Sequence, residues 1–276
     1  MKLFFITNSV ELSSFAIQSG VDRIFIDLEI NGKFERQGHL DTVISRHSLI
    51  DVAKLRPFVP SGRLLVRINP MHDGSDEEID QVLQAGADVI MLPMFRNPRE
   101  VESFTKAIAG RARSCLLAET VGAMHSLHEC VNVPGVDEVH IGLNDLHLEL
   151  GNRFMFEPLA NGLVDRMATV LKSASVPFGF GGVARAGEGH LPAELILSEH
   201  ARLGSTAAIL SRTFHRQATT VSEIQAQMNF SEEISKLRNA YSIHCKSEPK
   251  LMRENQIELN NRISKIVVNI QPKSLD

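Results

Sequence analysis

The sequence predicts an α/β fold, a (β/α)₈ TIM barrel with a C-terminal helical extension, and three observations carry that expectation. Eight short apolar runs recur along the chain, at residues 3–7, 23–28, 64–69, 89–94, 115–119, 139–143, 178–182 and 207–211. They are continuous rather than alternating, as strands are when helices cover one face and other strands' side chains fill the other. The segments between them carry helical signals, and a length of 276 residues fits one barrel of about 250 residues with an appendage better than two ordinary domains.

The elements follow in order. Residues 3–7 come after a single basic residue and are too short for a signal peptide, so they read as the first strand. Gly20-Val21-Asp22, Gly86-Ala87-Asp88 and Gly135-Val136-Asp137 each close a helix and turn the chain into a strand. Ser75-Asp76-Glu77-Glu78 is a cap with an acidic first turn, after which Ile79, Val82 and Leu83 share one face. Asn97-Pro98-Arg99-Glu100 puts proline at a first helical position, with Val101, Phe104 and Ile108 following at helical spacing. No Gly-x-Gly-x-x-Gly follows the first strand, which disfavours a dinucleotide-binding doubly wound sheet. The nearest glycine-rich turn, Phe180-Gly181-Gly182, is either a tight strand end or a seat for a carboxylate or phosphate.

Residues 1–218 are therefore expected to hold the barrel strands and the site, and 219–276 a final barrel helix plus an extension. A helix over 248–267 places Leu251, Ile257, Leu259, Ile263 and Ile266 among charges. Such a stripe is expected to pack across a subunit interface in a homo-oligomer, or else on its own barrel.

Composition narrows the partners. A formal charge of -4 with dispersed Lys and Arg gives no basic stripe for nucleic acid. No run of about 18 apolar residues is present to span a membrane, and a cytoplasmic location is expected. Cys115, Cys130 and Cys245 lie far apart without metal-binding spacing, and Cys115 reads as a small core residue.

Two carboxylates, Glu119 and Asp145, sit where apolar runs turn polar. That is the C-terminal strand edge, where α/β barrels hold ligands. Two hard oxygen ligands leave most of an octahedral shell open to water and substrate, an arrangement suited to Mg²⁺ or Mn²⁺ polarising an oxo-acid. Arg67, at the third strand's end, offers a forked, permanently charged donor for a planar oxo-acid. Alternation puts Asp27 and Glu29 on one strand face, where they orient metal-bound water or form a structural network with Arg67. His39 and His47 follow the second strand as candidate bases. His125, His128 and His140 read as packing or surface residues, because no spacing joins them into a metal site.

The motifs together carry a resemblance. Ile26-Asp27-Leu28-Glu29, Val66-Arg67-Ile68-Asn69, Met91-Leu92-Pro93, Ala118-Glu119-Thr120-Val121-Gly122, Pro134-Gly135-Val136-Asp137 and Gly142-x-Asn144-Asp145-Leu146-x-x-x-x-Gly151 resemble, in order and spacing, the HpcH/HpaI aldolase and citrate lyase family. The similarity covers roughly residues 20–215. It implies a pyruvate-binding TIM barrel with Glu119 and Asp145 as metal ligands. It places Arg67 against the substrate's oxo oxygen and carboxylate, with Asn144 also at the substrate, and Asp27 and Glu29 in the catalytic machinery. The implied activity is a divalent-metal-dependent carbon–carbon lyase acting on a hydroxy-oxo-acid through a pyruvate-like enolate. The chain departs from both branches of the family. Pyruvate aldolases place a histidine after the second-strand acid and a glutamine two positions before the metal-binding glutamate, but here Ile30 and Leu117 stand there. Citrate lyases follow that acid with Asp and end the fourth strand in Lys, where this chain has Ile30 and Met94. The alternatives are an acyl-CoA thioester lyase of the citrate lyase or malyl-CoA type, and a metabolite-binding barrel without turnover.

Overall fold

The computed structural model describes residues 1–31, 47–185 and 191–270. Its strands are β1 (Lys2–Ile6), β2 (Arg23–Asp27), β3 (Leu64–Arg67), β4 (Val89–Leu92), β5 (Arg113–Ala118), β6 (Glu138–Ile141), β7 (Phe178–Val183) and β8 (Ala207–Leu210). They form a closed barrel in sequential order, all parallel, with β8 returning to pair with β1. Each strand coincides with one of the eight apolar runs. Side chains alternate in direction along it: Phe4, Phe25, Leu65, Met91, Cys115 and Leu117 fill the barrel interior, whereas Phe5, Ile24, Ile26, Val66, Ile90 and Leu116 join the layer beneath the helices. Both faces are dry, so neither needs polar residues.

The Gly-x-Asp turns do more than end helices. Gly20, Gly86 and Gly135 hold φ of +99°, +101° and +93°, a region costly for any residue with a Cβ. The aspartate two positions on then caps the neighbouring strand. Asp22 accepts the Leu3 amide at 2.7 Å, Asp88 the Leu64 amide at 2.9 Å, and Asp137 the Ser114 amide at 2.8 Å. Entry to β2, β4 and β6 thereby secures the starts of β1, β3 and β5. At this same end the buried Arg23–Glu138 pair closes the barrel floor, with Lys2 and Arg113 at 3.9 and 3.6 Å from the carboxylate. The opposite, C-terminal end carries the candidate site residues.

After β8, the helix Phe230–Cys245 packs on the helix Ala193–Leu203, and Phe230 meets Phe5 and Phe214 edge-on at 5.7 and 5.3 Å. The last helix, Pro249–Asn269, lies against Ala193–Leu203 and Glu157–Ala160. It buries Leu259 and Ile263, and Asn255 donates to Ser198 Oγ at 3.0 Å. Leu251 and Ile257 remain 45% and 54% exposed. Its stripe thus divides between its own barrel and solvent. Among the described residues no helix is long and apolar enough to cross a membrane.

Candidate active site

Adjacent parallel strands in register bring the first cluster together. Asp27 and Arg67 are paired positions of β2 and β3, so their side chains emerge side by side at the C-terminal rim. Arg67 donates from Nε and Nη2 to the two Asp27 oxygens, each at 2.9 Å, and Nη2 lies 3.3 Å from Glu29 Oε2. Both carboxylates are buried, and the guanidinium sits 5.7 Å from the Phe25 ring centre. Burial works against the Arg67 charge, but Asp27 and then Glu29 outweigh it and raise its pKa. The fork is thereby fixed in orientation and permanently cationic.

Glu119 follows β5 and is buried. The turn after it is locked by Thr120, whose hydroxyl donates to the Phe95 carbonyl at 2.7 Å and accepts the Ala123 amide at 2.9 Å. Met94 directs its amide to Glu119 Oε1 at 3.2 Å from a backbone with φ +55°, a strained conformation for a residue with a long side chain. Across the mouth, a Cβ on Gly142 would lie 2.7 Å from both Glu119 Cβ and Oε2. Only glycine lets the carboxylate stand there.

Asp145 is not at a strand end as the apolar run implies. β6 stops at Ile141 and the helix Leu143–Glu149 begins at once, so Asp145 and its neighbour Asn144 lie on the first helical turn, both half-buried. Leu143 and Leu146 bury the inner face of that turn, which is why the run looked unbroken. Asp145 still belongs to the cluster electrostatically. Burial pushes the Glu119 carboxyl well above the usual range, the Asp145 charge adds to this, and Glu29 adds again, while Arg67 and the Met94 amide pull the other way.

Asp27, Glu29 and Glu119 thus act on the Arg67 guanidinium, and Asp145 acts on Glu119, a gathering of negative charge that favours a cation nearby. Among the described residues no group of three or more His, Cys, Asp or Glu is arranged to hold a metal. An ion here would take Glu119 and Asp145 as hard oxygen donors and complete its shell with water and substrate, which fits Mg²⁺ or Mn²⁺ rather than a thiophilic metal.

The remaining candidates separate cleanly. His47 Nδ1 accepts the Asp27 amide at 3.0 Å, which leaves the proton of the neutral ring on Nε2; in that tautomer the ring's second nitrogen is a donor, not a base. His39 lies outside the described residues. His140 is inside the barrel, 3.3 Å from the Gly181 carbonyl, and burial lowers its pKa to about 4, so it is neutral. His125 and His128 are on the surface. Burial also pushes the Cys115 thiol up, in keeping with a core role. Leu117 is buried under Glu119, beside Gly142, and Ile30 is 65% exposed; neither side chain transfers protons. Sequence reasoning missed the Met94 amide, which leaves no residue-level signal, and the side chain of Asn69, whose place two residues beyond Arg67 could have flagged it.

A model of the HpcH/HpaI aldolase/citrate lyase family matches residues 1–156, the segment that contains Asp27, Glu29, Arg67, Glu119 and Asp145. Among solved structures, an HpcH/HpaI aldolase from Desulfitobacterium hafniense DCB-2 is similar at 14% identity and TM-score 0.61, over 83% of this chain and 93% of that one. A citrate lyase beta subunit from M. tuberculosis, complexed with oxaloacetate and magnesium, is similar at 14% identity and TM-score 0.60, over 87% and 96%. The citrate synthase SbnG is similar at 17% identity and TM-score 0.58, over 86% and 94%. Likeness at these identities establishes the shared barrel. A comparison with curated protein sequences found no match.

Proposed function

The chain belongs to the HpcH/HpaI aldolase/citrate lyase family, and from that premise we propose that it is a divalent-metal-dependent carbon–carbon lyase. Its substrate is a hydroxy-oxo-acid, cleaved to a pyruvate-like oxo-acid and an aldehyde, or formed from them in the reverse addition. The observation that carries this reading is that the buried Glu119 carboxyl, which feels the Asp145 charge, and a guanidinium held by Asp27, Arg67, meet at one barrel mouth. The oxaloacetate and magnesium named for the M. tuberculosis subunit support a mouth that takes an oxo-acid with a divalent cation.

As the substrate hydroxyl loses its proton and becomes the aldehyde carbonyl, the carbon–carbon bond breaks and its electron pair delocalises onto the oxo oxygen as an enolate, which takes up a proton at carbon to give the oxo-acid. A bound Mg²⁺ would supply Lewis-acid stabilisation of that developing charge. Arg67 supplies the matching donors, oriented toward the oxo and carboxylate oxygens because Asp27 and Glu29 hold its fork. Glu119 and Asp145 would hold the ion, and Asn144, on the same turn as Asp145, would contact the substrate.

Titration of the metal-free protein with Mn²⁺ tests the assignment. Glu119→Ala and Asp145→Ala are each expected to weaken binding by about 100-fold or more, since losing a ligand costs at least as much as losing a group that only supports one. Wild-type affinity in either variant contradicts it.

A further inference from the structure

Asn69 sits two residues beyond Arg67 and gathers four hydrogen bonds. Its Oδ1 accepts the backbone amides of Ile30 and Asn31 at 2.9 and 3.0 Å. Its Nδ2 and its own amide donate to Glu78 Oε1 at 2.8 and 3.1 Å. The side-chain orientation follows from chemistry, since two N–H donors must face an oxygen and a carboxylate must face the NH₂ group. Glu78 comes from the helix Ser75–Gln84, and its other oxygen lies 3.2 Å from His72 Nε2. His72 Nδ1 in turn accepts the Gly74 amide at 3.0 Å, so the neutral ring keeps its proton on Nε2 and donates it to Glu78.

A chain of contacts therefore runs from the start of that helix through Glu78 and Asn69 to the backbone just after Glu29. β2 ends at Asp27, so Glu29 lies past the strand ladder. It is nonetheless buried, with its carboxylate on Arg67.

We propose that Asn69 is a positioning residue: anchored by Glu78, it pins the backbone of Ile30 and Asn31 and so holds the Glu29 carboxylate against Arg67. Its consequence for turnover rests on the lyase reading, in which Arg67 meets the substrate. The placement of Glu29 does not.

The test is a double-mutant cycle of Asn69→Ala and Glu29→Gln, read on the Arg67 side-chain resonances in the full-length protein by NMR. Asn69→Ala is expected to move the Arg67 signal toward its position in Glu29→Gln, to add no further shift in the double variant, and to speed exchange of the Ile30 and Asn31 amides by about tenfold or more. An unmoved Arg67 signal, or an equal shift in both backgrounds, overturns the proposal. In turnover, Asn69→Ala is expected to lower kcat about tenfold with KM within about twofold, and to lower it less than about twofold when Glu29 is already Gln. An additive loss in kcat overturns it as well. Should Asn69→Ala not fold, Glu78→Ala removes the anchor from a surface helix and carries the same comparison. If the wild type turns over no oxo-acid with Mg²⁺, the lyase reading fails, while the resonances still decide the role of Asn69.

Discussion

Arg67 meets the substrate end of the proposed chemistry with its guanidinium already clasped by Asp27 and Glu29. Lysine keeps the charge but not the planar fork, so Arg67→Lys is expected to lower kcat by about 10²-fold, as loss of an oriented oxyanion donor does, while circular dichroism still reports a folded barrel. A near-normal rate would place Arg67 outside the site. Glu119 gives a second prediction, in stability. Its pKa is raised in the fold by burial and then by Asp145, so the native state holds this proton more tightly than the unfolded chain does. In chelator its contribution is full below the ordinary glutamate pKa and is lost as pH rises through the raised folded value. Glu119→Gln cannot ionise and keeps an acceptor for the Met94 amide. It is expected to melt higher than wild type in chelator at pH 7, and Mg²⁺ is expected to reverse the order by stabilising wild type alone. A lower melting temperature for Glu119→Gln in chelator contradicts this. The places of Arg67, Asp27 and Glu119 at the strand ends were legible in the sequence because charges ending apolar runs are conspicuous. The Met94 amide was not, because a positive φ at methionine is set by its surroundings.

Among elements, the eight strands were readable because a buried parallel strand has no polar face. The start of the helix Leu143–Glu149 was not. Ile141-Gly142-Leu143 continues the apolar run with no turn residue marked by polarity, and a run this short does not distinguish a repeat of two from one of 3.6. The Gly-x-Asp turns were legible as turns, but their hold on β1, β3 and β5 depends on partners about twenty residues away in sequence. The last helix divides its labour. Leu259 and Ile263 seal it to its own barrel, and Leu251 and Ile257 face outward. We propose that the outward pair joins subunits of a homo-oligomer. Leu251→Glu with Ile257→Glu is then expected to reduce the mass found by light scattering without lowering stability. Leu259→Ala is expected to cost about 2–5 kcal/mol by leaving a cavity, with the mass unchanged. A monomeric wild type, or an unchanged mass in the double variant, rules out this contact.

At the scale of the whole molecule, the barrel's two ends are electrostatically opposite in design. At the floor, Arg23 and Glu138 pair in a buried contact, with Lys2 and Arg113 nearby. At the mouth, Asp27, Glu29 and Glu119 act on Arg67, and Asp145 acts on Glu119. In the proposed function, this gathering of carboxylates at the C-terminal edge of the barrel would receive a divalent cation together with the substrate. The most direct measurement is turnover of the purified full-length chain with pyruvate and a panel of aldehydes, in Mg²⁺ and in excess chelator. Carbon–carbon bond formation in Mg²⁺, abolished by chelator and restored by added metal, is the predicted result; undiminished product in chelator, or none from any aldehyde with Mg²⁺ present, contradicts the account.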